Sequence, residues 1–322
     1  MKQAVQFLKN APLLFDTWKR VSRELPIGFS FNLSDRCPIG CDCYWRAQGR
    51  VTEMSDEAVI TFFKTKRDEG FQHVTIVGGE PYVRPKLLER VTPIIRSSWV
   101  VTSGTTPLLA LPHTTHFISI DGADAETHNA IRKSKGLFER ILQHLAAARS
   151  GATFPAYIHS VLNAKNYLQI ERLLRVWKVE RLLRVWKENE LVDGVLFSTM
   201  TPIKQSGDAS LRLQPPERIW IVRELHRVEK IFGKFLCMSP QMIAALHPDR
   251  TATQTPENCA TAQRILSYDA SGARIQQCIL SEKADCSECG CVITSMVDTF
   301  AGKSWYGIVQ NSLLLSKLIQ NE

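Results

Sequence analysis

What this 322-residue chain lacks closes off several classes of protein. No run approaches the roughly 18 apolar residues of a membrane-spanning helix. Lys2, Lys9, Pro12 and Asp16 break up any apolar core at the start, so no secretory leader is expected either. His-Glu-x-x-His, Gly-x-Ser-x-Gly and a phosphate-binding Gly-rich loop are all missing, which removes the usual signatures of zinc proteases, serine hydrolases and P-loop nucleotidases. Nor is there a block of five or six Lys/Arg. The 40 basic and 32 acidic residues leave a net charge of +8 that is spread along the chain. Such spreading describes a solvated basic surface; anionic substrates, nucleic acid or lipid headgroups are the other partners it allows, and on balance nucleic acid is not expected. Disorder is excluded by composition, with 44% hydrophobic and 22% charged residues.

Cysteine is present in an odd number, nine, and it is clustered: 37, 41 and 43; a lone 237; then 259, 278, 286, 289 and 291. A secreted disulfide scaffold would be shorter and would carry a leader. The pattern instead predicts metal-binding thiols in a reducing cytoplasm, with Cys237, in an apolar setting, as a core thiol.

Hydrophobic periodicity organises the rest. Residues 1–25 read as an amphipathic helical segment that packs on the main domain or, alternatively, touches a membrane surface. A β run follows at Ile27–Leu33, then a helix at Met54–Glu69 with Ser55 as N-cap and Gly70 as stop. Further β runs fall at His73–Val77, Trp99–Thr102, His116–Ile120, Ala156–Leu162 and Gly194–Ser198. Helices are expected between them at Lys86–Arg96, Ala125–Arg132, Leu137–Ser150 and about Tyr167–Asn189. Strands alternating with helices imply an α/β fold of parallel strands and crossover helices, a partial (β/α)6 TIM-like barrel over residues 26–202. Polar residues gather just after the strands, the edge at which parallel barrels place their sites. A linker and helix occupy 203–235, and a cysteine-rich extension with a C-terminal helix fills 236–322. Glu171–Lys178 recurs letter for letter as Glu180–Lys187, a tandem duplication in an outer helix rather than a solenoid repeat.

Two stretches carry chemistry. The first is Cys37-Pro38-Ile39-Gly40-Cys41-Asp42-Cys43-Tyr44-Trp45, whose close thiols suit an iron–sulfur cluster or zinc. The second is Val77-Gly78-Gly79-Glu80-Pro81, a turn at the end of an apolar strand. Its glycines let backbone approach a ligand, Glu80 can accept from an ammonium group, and Pro81 stiffens the exit.

In this order the two stretches resemble the radical S-adenosylmethionine (radical SAM) enzymes. The resemblance covers about 27–200 and 255–292. It implies that Cys37, Cys41 and Cys43 hold a [4Fe-4S] cluster with one open iron that chelates S-adenosylmethionine, and that Gly78, Gly79, Glu80 and Pro81 bind the cofactor's amino group. Family loops usually read Cys-x3-Cys-x-aromatic-Cys; here Cys43 comes one residue early and Tyr44 takes the third thiol's usual place. Thr102 and Ser103 lie where relatives contact the adenosine. Ser119 and Asp121 look like the polar pair ending the fourth strand, Arg132 like a partner of the cofactor carboxylate, and Asn163 ends the fifth strand. Each of these could also cap a helix or bond a loop.

The extension, with Cys259, a hairpin turning at Gly272, and Cys278, Cys286, Cys289 and Cys291, resembles SPASM or twitch domains. That implies a single auxiliary iron–sulfur cluster; a zinc site is the alternative. The family's activity would follow: an electron from a ferredoxin- or flavodoxin-type donor, reductive cleavage to a 5′-deoxyadenosyl radical, and hydrogen abstraction from, or addition to, a small-molecule, peptide or lipid substrate, in peptide modification or cofactor biosynthesis. A non-catalytic iron–sulfur or zinc protein on the same scaffold and an RNA-modifying enzyme are the rivals. Fold and cofactor do not choose among substrates.

Overall fold

The structure is a computed structural model that describes residues 2–41, 49–151, 154–179, 191–204, 209–301 and 318, with the backbone alone for 2–9, 151, 179 and 299–301. The six expected strands are present: β1 (Gly28–Ser34), β2 (His73–Gly78), β3 (Ser97–Thr102), β4 (Thr114–Ser119), β5 (Ala156–Leu162) and β6 (Gly194–Thr199). Each pairs in parallel with the next along the chain. Two further strands, β7 (Ile265–Tyr268) and β8 (Arg274–Ile275), extend the sheet beyond β1, giving the order β6-β5-β4-β3-β2-β1-β7-β8. β7 runs parallel to β1 and β8 antiparallel to β7, with Gly272 turning the hairpin at φ 81°.

Helices follow the strands: α1 (Lys2–Ser22) before the sheet, then α2 (Asp56–Asp68), α3 (Pro85–Val91), α4 (Ala125–Arg132), α5 (Leu137–Gly151), α6 (Ile170–Val179) and α7 (Pro215–Phe232). α2 starts where its cap predicts, with the Ser55 side chain accepting from Ala58 N. α3 stops short of the expected Arg96, giving way at Thr92–Ile94 to a 3-10 turn that contains Pro93, a residue that removes a helical donor. The second copy of the repeated octapeptide lies outside the described residues. The shorter helices α8 (Pro240–Ala245), α9 (Pro248–Thr251), α10 (Ala260–Arg264) and α11 (Val292–Ala301) belong to the cysteine-rich end.

The sheet is buried unevenly on its two faces. On β1, Phe29 and Phe31 meet Phe63 of α2 edge-on with ring centroids 5.5 Å apart, the covered outer face. The opposite face carries Ser30, Asn32 and Ser34, which are also buried. Along β2, Val74 and Ile76 are fully buried while His73, Thr75 and Val77 are only half-buried. On β5 the half-buried residues are His159 and Val161. Since strand side chains alternate, these residues share the inner face, where cover is less complete than on the outer face, and border the barrel lumen. Its floor is closed by Trp99, Phe117 and Tyr157, each in ring contact with the next. Beneath them, Trp99 Nε1 and Thr115 Oγ1 both donate to the Leu318 carbonyl, at 3.0 and 2.7 Å.

One continuous stretch ties both ends of the sheet together. β7 and β8 lie at one end, and Ala270 O accepts from Met54 N at 2.8 Å. At the other end Gly290 O accepts from Thr199 N (2.9 Å), and Pro202 O and Lys283 O accept from Asp285 N and Lys204 N. Cys237 is the expected core thiol, with 0% exposure, its amide donating to Val195 O beside β6.

Candidate cofactor and cluster site

The C-terminal ends of the strands bring the two sequence motifs into contact. Beyond β1, Ser34 and Asp35 are anchored by Glu53, which accepts from Ser34 Oγ at 2.6 Å and from Asp35 N at 3.0 Å. Burial opposes the charge of Glu53, but these bonds and one from Arg36 outweigh it and hold the carboxyl below its ordinary range. From this anchored stem the chain enters the thiol loop: Cys37 is half-exposed, Cys41 is buried, and neither is in a disulfide. Cys43 lies outside the described residues.

The Gly-Gly-Glu-Pro turn lies flat on that stem. Gly79 N donates to Ser34 O at 2.7 Å and Glu80 N to Arg36 O at 2.9 Å. A Cβ on Gly78, whose φ is 121°, would stand 2.5 Å from Ser34 O, and one on Gly79 would strike Arg36 O. Both glycines are therefore required by the close approach of the chain's own backbone, whatever ligand lies above. Pro81 opens a 3-10 turn, Pro81–Val83, with its ring at a position where no donor is lost.

The Glu80 carboxylate, expected to receive a ligand's ammonium group, is engaged here by the chain itself. It is 0% exposed and accepts from Tyr82 N (3.0 Å), Thr102 Oγ1 (2.7 Å), Ser103 N (2.7 Å) and Ser103 Oγ. A carboxylate has about four lone-pair sites, and four donors fill them. The side chain binds β2 to β3, and Thr102 and Ser103 spend their hydroxyls on it. What the turn can offer a ligand is main chain.

Arg132 and Asp121 likewise meet each other: Nε and Oδ2 are 2.6 Å apart, with both side chains under a tenth exposed. Arg132, expected to serve a cofactor carboxylate, thus forms a buried pair that ties α4 to the end of β4. Asp121 Oδ1 also accepts from Val161 N at 2.8 Å, linking β4 to β5. Asp121 N donates to His128 Nδ1 at 3.0 Å, which needs a neutral imidazole; burial, then the Arg132 charge, push its pKa down to about 4. Asn163 builds its own turn: its Oδ1 accepts from Lys165 N and its Nδ2 donates to Val161 O. Ser119 differs. It is 7% exposed, on the inner face, and its hydroxyl has no protein partner among the described residues.

Sequence reasoning passed over His159. It stands two residues before Val161 on the inner face of β5, with Nε2 2.8 Å from Ser198 Oγ, and Ser198 Oγ in turn accepts from Val292 N at 3.1 Å. Its only signal was strand alternation, which places it beside the lumen.

In the extension, Cys259, Cys278, Cys286, Cys289 and Cys291 come together, none in a disulfide. Burial raises the thiol pKa of four of them, that of Cys291 to about 11, and neighbouring thiols add to the rise. A Cβ on Gly290 would run into the carbonyl and hydroxyl of Thr199, so this loop sits hard against the end of β6. Among the described residues no three His, Cys, Asp or Glu side chains converge closely enough to grip a single metal ion. An iron–sulfur cluster is itself wide and asks for a broader ring of soft thiolate donors, which this all-thiol set fits. No helix among the described residues is long and apolar enough to cross a membrane.

No family model matches the chain. It is 29% identical over 154 residues to a PqqA peptide cyclase of Methylocella silvestris, covering 44% of this chain and 41% of that protein. It is 26% identical over 162 residues to an AdoMet-dependent heme synthase of Methanosarcina barkeri, covering 46% of each. The chain therefore spans less than half the length of these curated relatives. Its fold matches Streptococcus suis SuiB bound to precursor peptide SuiA with a TM-score of 0.61 at 12% identity, over 91% of this chain and 69% of SuiB. It also matches anSMEcpe with bound AdoMet and a Cp18Cys peptide, with a TM-score of 0.60 at 13% identity, over 84% of this chain and 80% of that one. The chain is a relative of the radical SAM enzymes. The sheet, with its thiol loop after the first strand, accordingly has the partial-barrel fold of these neighbours.

Proposed function

We propose that this radical SAM protein is an enzyme that modifies a peptide, with Cys37, Cys41 and Cys43 holding a [4Fe-4S] cluster that binds S-adenosylmethionine. The observation that carries this is the pairing of Gly79 and Glu80 amides with the Ser34 and Arg36 carbonyls, which makes the cofactor turn and the base of the thiol loop one rigid unit. When bound, the cluster supplies the electron that splits the sulfonium and generates a carbon radical. The chain's own part is to present main chain from 78–80 and the Ser119 hydroxyl, and to hold the lumen's walls through Glu80 and the Asp121–Arg132 pair. Peptide as substrate is supported by SuiB and anSMEcpe, whose structures hold peptides, and by the cyclase relative. The heme synthase relative favours a second reading, a cofactor precursor as substrate. An auxiliary iron–sulfur cluster on thiols of the extension, a ferredoxin- or flavodoxin-type donor and a reducing cytoplasm complete the proposal.

The test is anaerobic reconstitution with iron and sulfide, followed by dithionite and S-adenosylmethionine. The wild type should release 5′-deoxyadenosine, and Cys43→Ala should lose the S-adenosylmethionine-responsive EPR signal. Wild-type protein that binds iron yet forms no 5′-deoxyadenosine would refute the proposal.

A further inference from the structure

Arg218, on α7, is 3% exposed. Its Nη1 donates to Glu288 O at 2.9 Å and its Nη2 to Cys289 O at 3.3 Å, while Nε has no partner. Among the described residues it makes no ion pair: the carboxylate nearest in sequence to its contacts, Glu288, is held by Arg212, whose Nε is 3.0 Å from Oε2. The titratable groups near enough to act on Arg218 are Glu288 and the Cys289 thiol. A guanidinium taken out of water and satisfied only by two carbonyls is an expensive arrangement, and buried charges are ordinarily paired. The chain places this one against the backbone of a loop with three thiols, Cys286, Cys289 and Cys291, two of which enclose the loop's contact point.

We infer that Arg218 is the built-in counter-charge of the auxiliary cluster, a positioning residue that holds the Cys286–Cys291 loop by two hydrogen bonds and offsets the negative charge of the ligating thiolates. The inference rests on the proposed auxiliary cluster. Thiolates must form for a cluster to bind, and each cluster carries net negative charge, so the arrangement is costly when empty and favourable when loaded. A cation that close also favours the reduced, more negative state of the cluster, which raises its reduction potential.

The test uses the full chain carrying Cys37→Ala and Cys41→Ala, which leaves the extension as the remaining cluster site, with Arg218 then changed to Lys, Gln or Met. Redox titration followed by EPR should show the midpoint potential lower in Arg218→Gln and Arg218→Met by about 59 mV or more, a tenfold change in the one-electron equilibrium. Arg218→Lys should keep most of the wild-type potential. Without iron, Arg218→Met should melt close to its parent, because the two hydrogen bonds lost at the Glu288 and Cys289 carbonyls are offset by removal of a buried, uncompensated cation; with iron, it should lose part of the parent's cluster-dependent stabilisation. A potential unchanged in Gln and Met, or a cluster-free Met variant that unfolds or melts well below its parent, overturns the inference and leaves Arg218 a structural tie. A parent that takes up no iron overturns the auxiliary cluster itself, a failure recognisable from iron and sulfide content alone.

Discussion

If Glu80 is a strut between β2 and β3, replacing it must cost stability before it costs ligand binding. In Glu80→Gln one carboxylate oxygen becomes an amide NH2. The Tyr82 amide points at Oε1 and the Ser103 amide at Oε2, each fixed by backbone, so either orientation of the glutamine sets N–H against N–H. The Thr102 and Ser103 hydroxyls can turn away, Ser103 toward Thr105 Oγ1 at 3.1 Å. One buried amide therefore loses its acceptor, a cost of about 1–3 kcal/mol. Glu80→Ala orphans both amides and opens a cavity, so about twice that cost is expected. Against a net stability of roughly 5–15 kcal/mol these are large losses. Urea unfolding of the metal-free protein, followed by circular dichroism, reads them as lower midpoints in the order wild type, Gln, Ala. The opposite mechanism makes the opposite prediction: a carboxylate that grips an ammonium would leave the Gln midpoint unchanged and weaken S-adenosylmethionine binding by itself. That pair of results would refute the strut.

Other consequences are open to the same measurements. Gly79→Ala drives a Cβ into Arg36 O, so it should displace the thiol loop and lower iron uptake after reconstitution while the far-UV spectrum is retained. Arg132→Met leaves Asp121 buried and unpaired and should cost about 3–5 kcal/mol, whereas Asp121→Asn combined with Arg132→Met should recover part of that loss in a double-mutant cycle. His128 is held neutral with its pKa near 4, below the unfolded value of about 6.5, so the unfolded chain binds the extra proton first. Its contribution is complete above pH 6.5 and is lost as pH falls from there toward 4, and His128→Asn should flatten unfolding midpoints measured across that window.

The parallel strands could be read from the sequence because each is a short apolar run closed by a polar turn, and a parallel sheet covered on its outer face leaves that mark at every strand. β7 left no such mark. It is four residues long, and its partner strand is far away in sequence: the Ser30–Ser267 hydroxyl bond joins residues 237 apart. Nothing local distinguishes a strand that joins the barrel from one confined to a hairpin. At the site, residue types were legible and their partners were not. Glu80, Asp121 and Asn163 stand just beyond strand ends, and a polar group there looks the same in sequence whether its partner is a ligand or the chain itself. Burial decides between the two: at 0% exposure the Glu80 carboxylate must be satisfied from within, and the Thr-Ser pair ending β3 supplies the donors. His159 was missed for the converse reason. A lone histidine in an apolar strand reads as core, and only the half-burial of its alternating neighbours along β2 and β5 shows that the inner face is open. The polar residues that the folded chain leaves unsatisfied, such as Ser119 on that inner face, are therefore better pointers to a ligand than the charged residues the motif displays, because the charges were needed first to hold the strand ends in place.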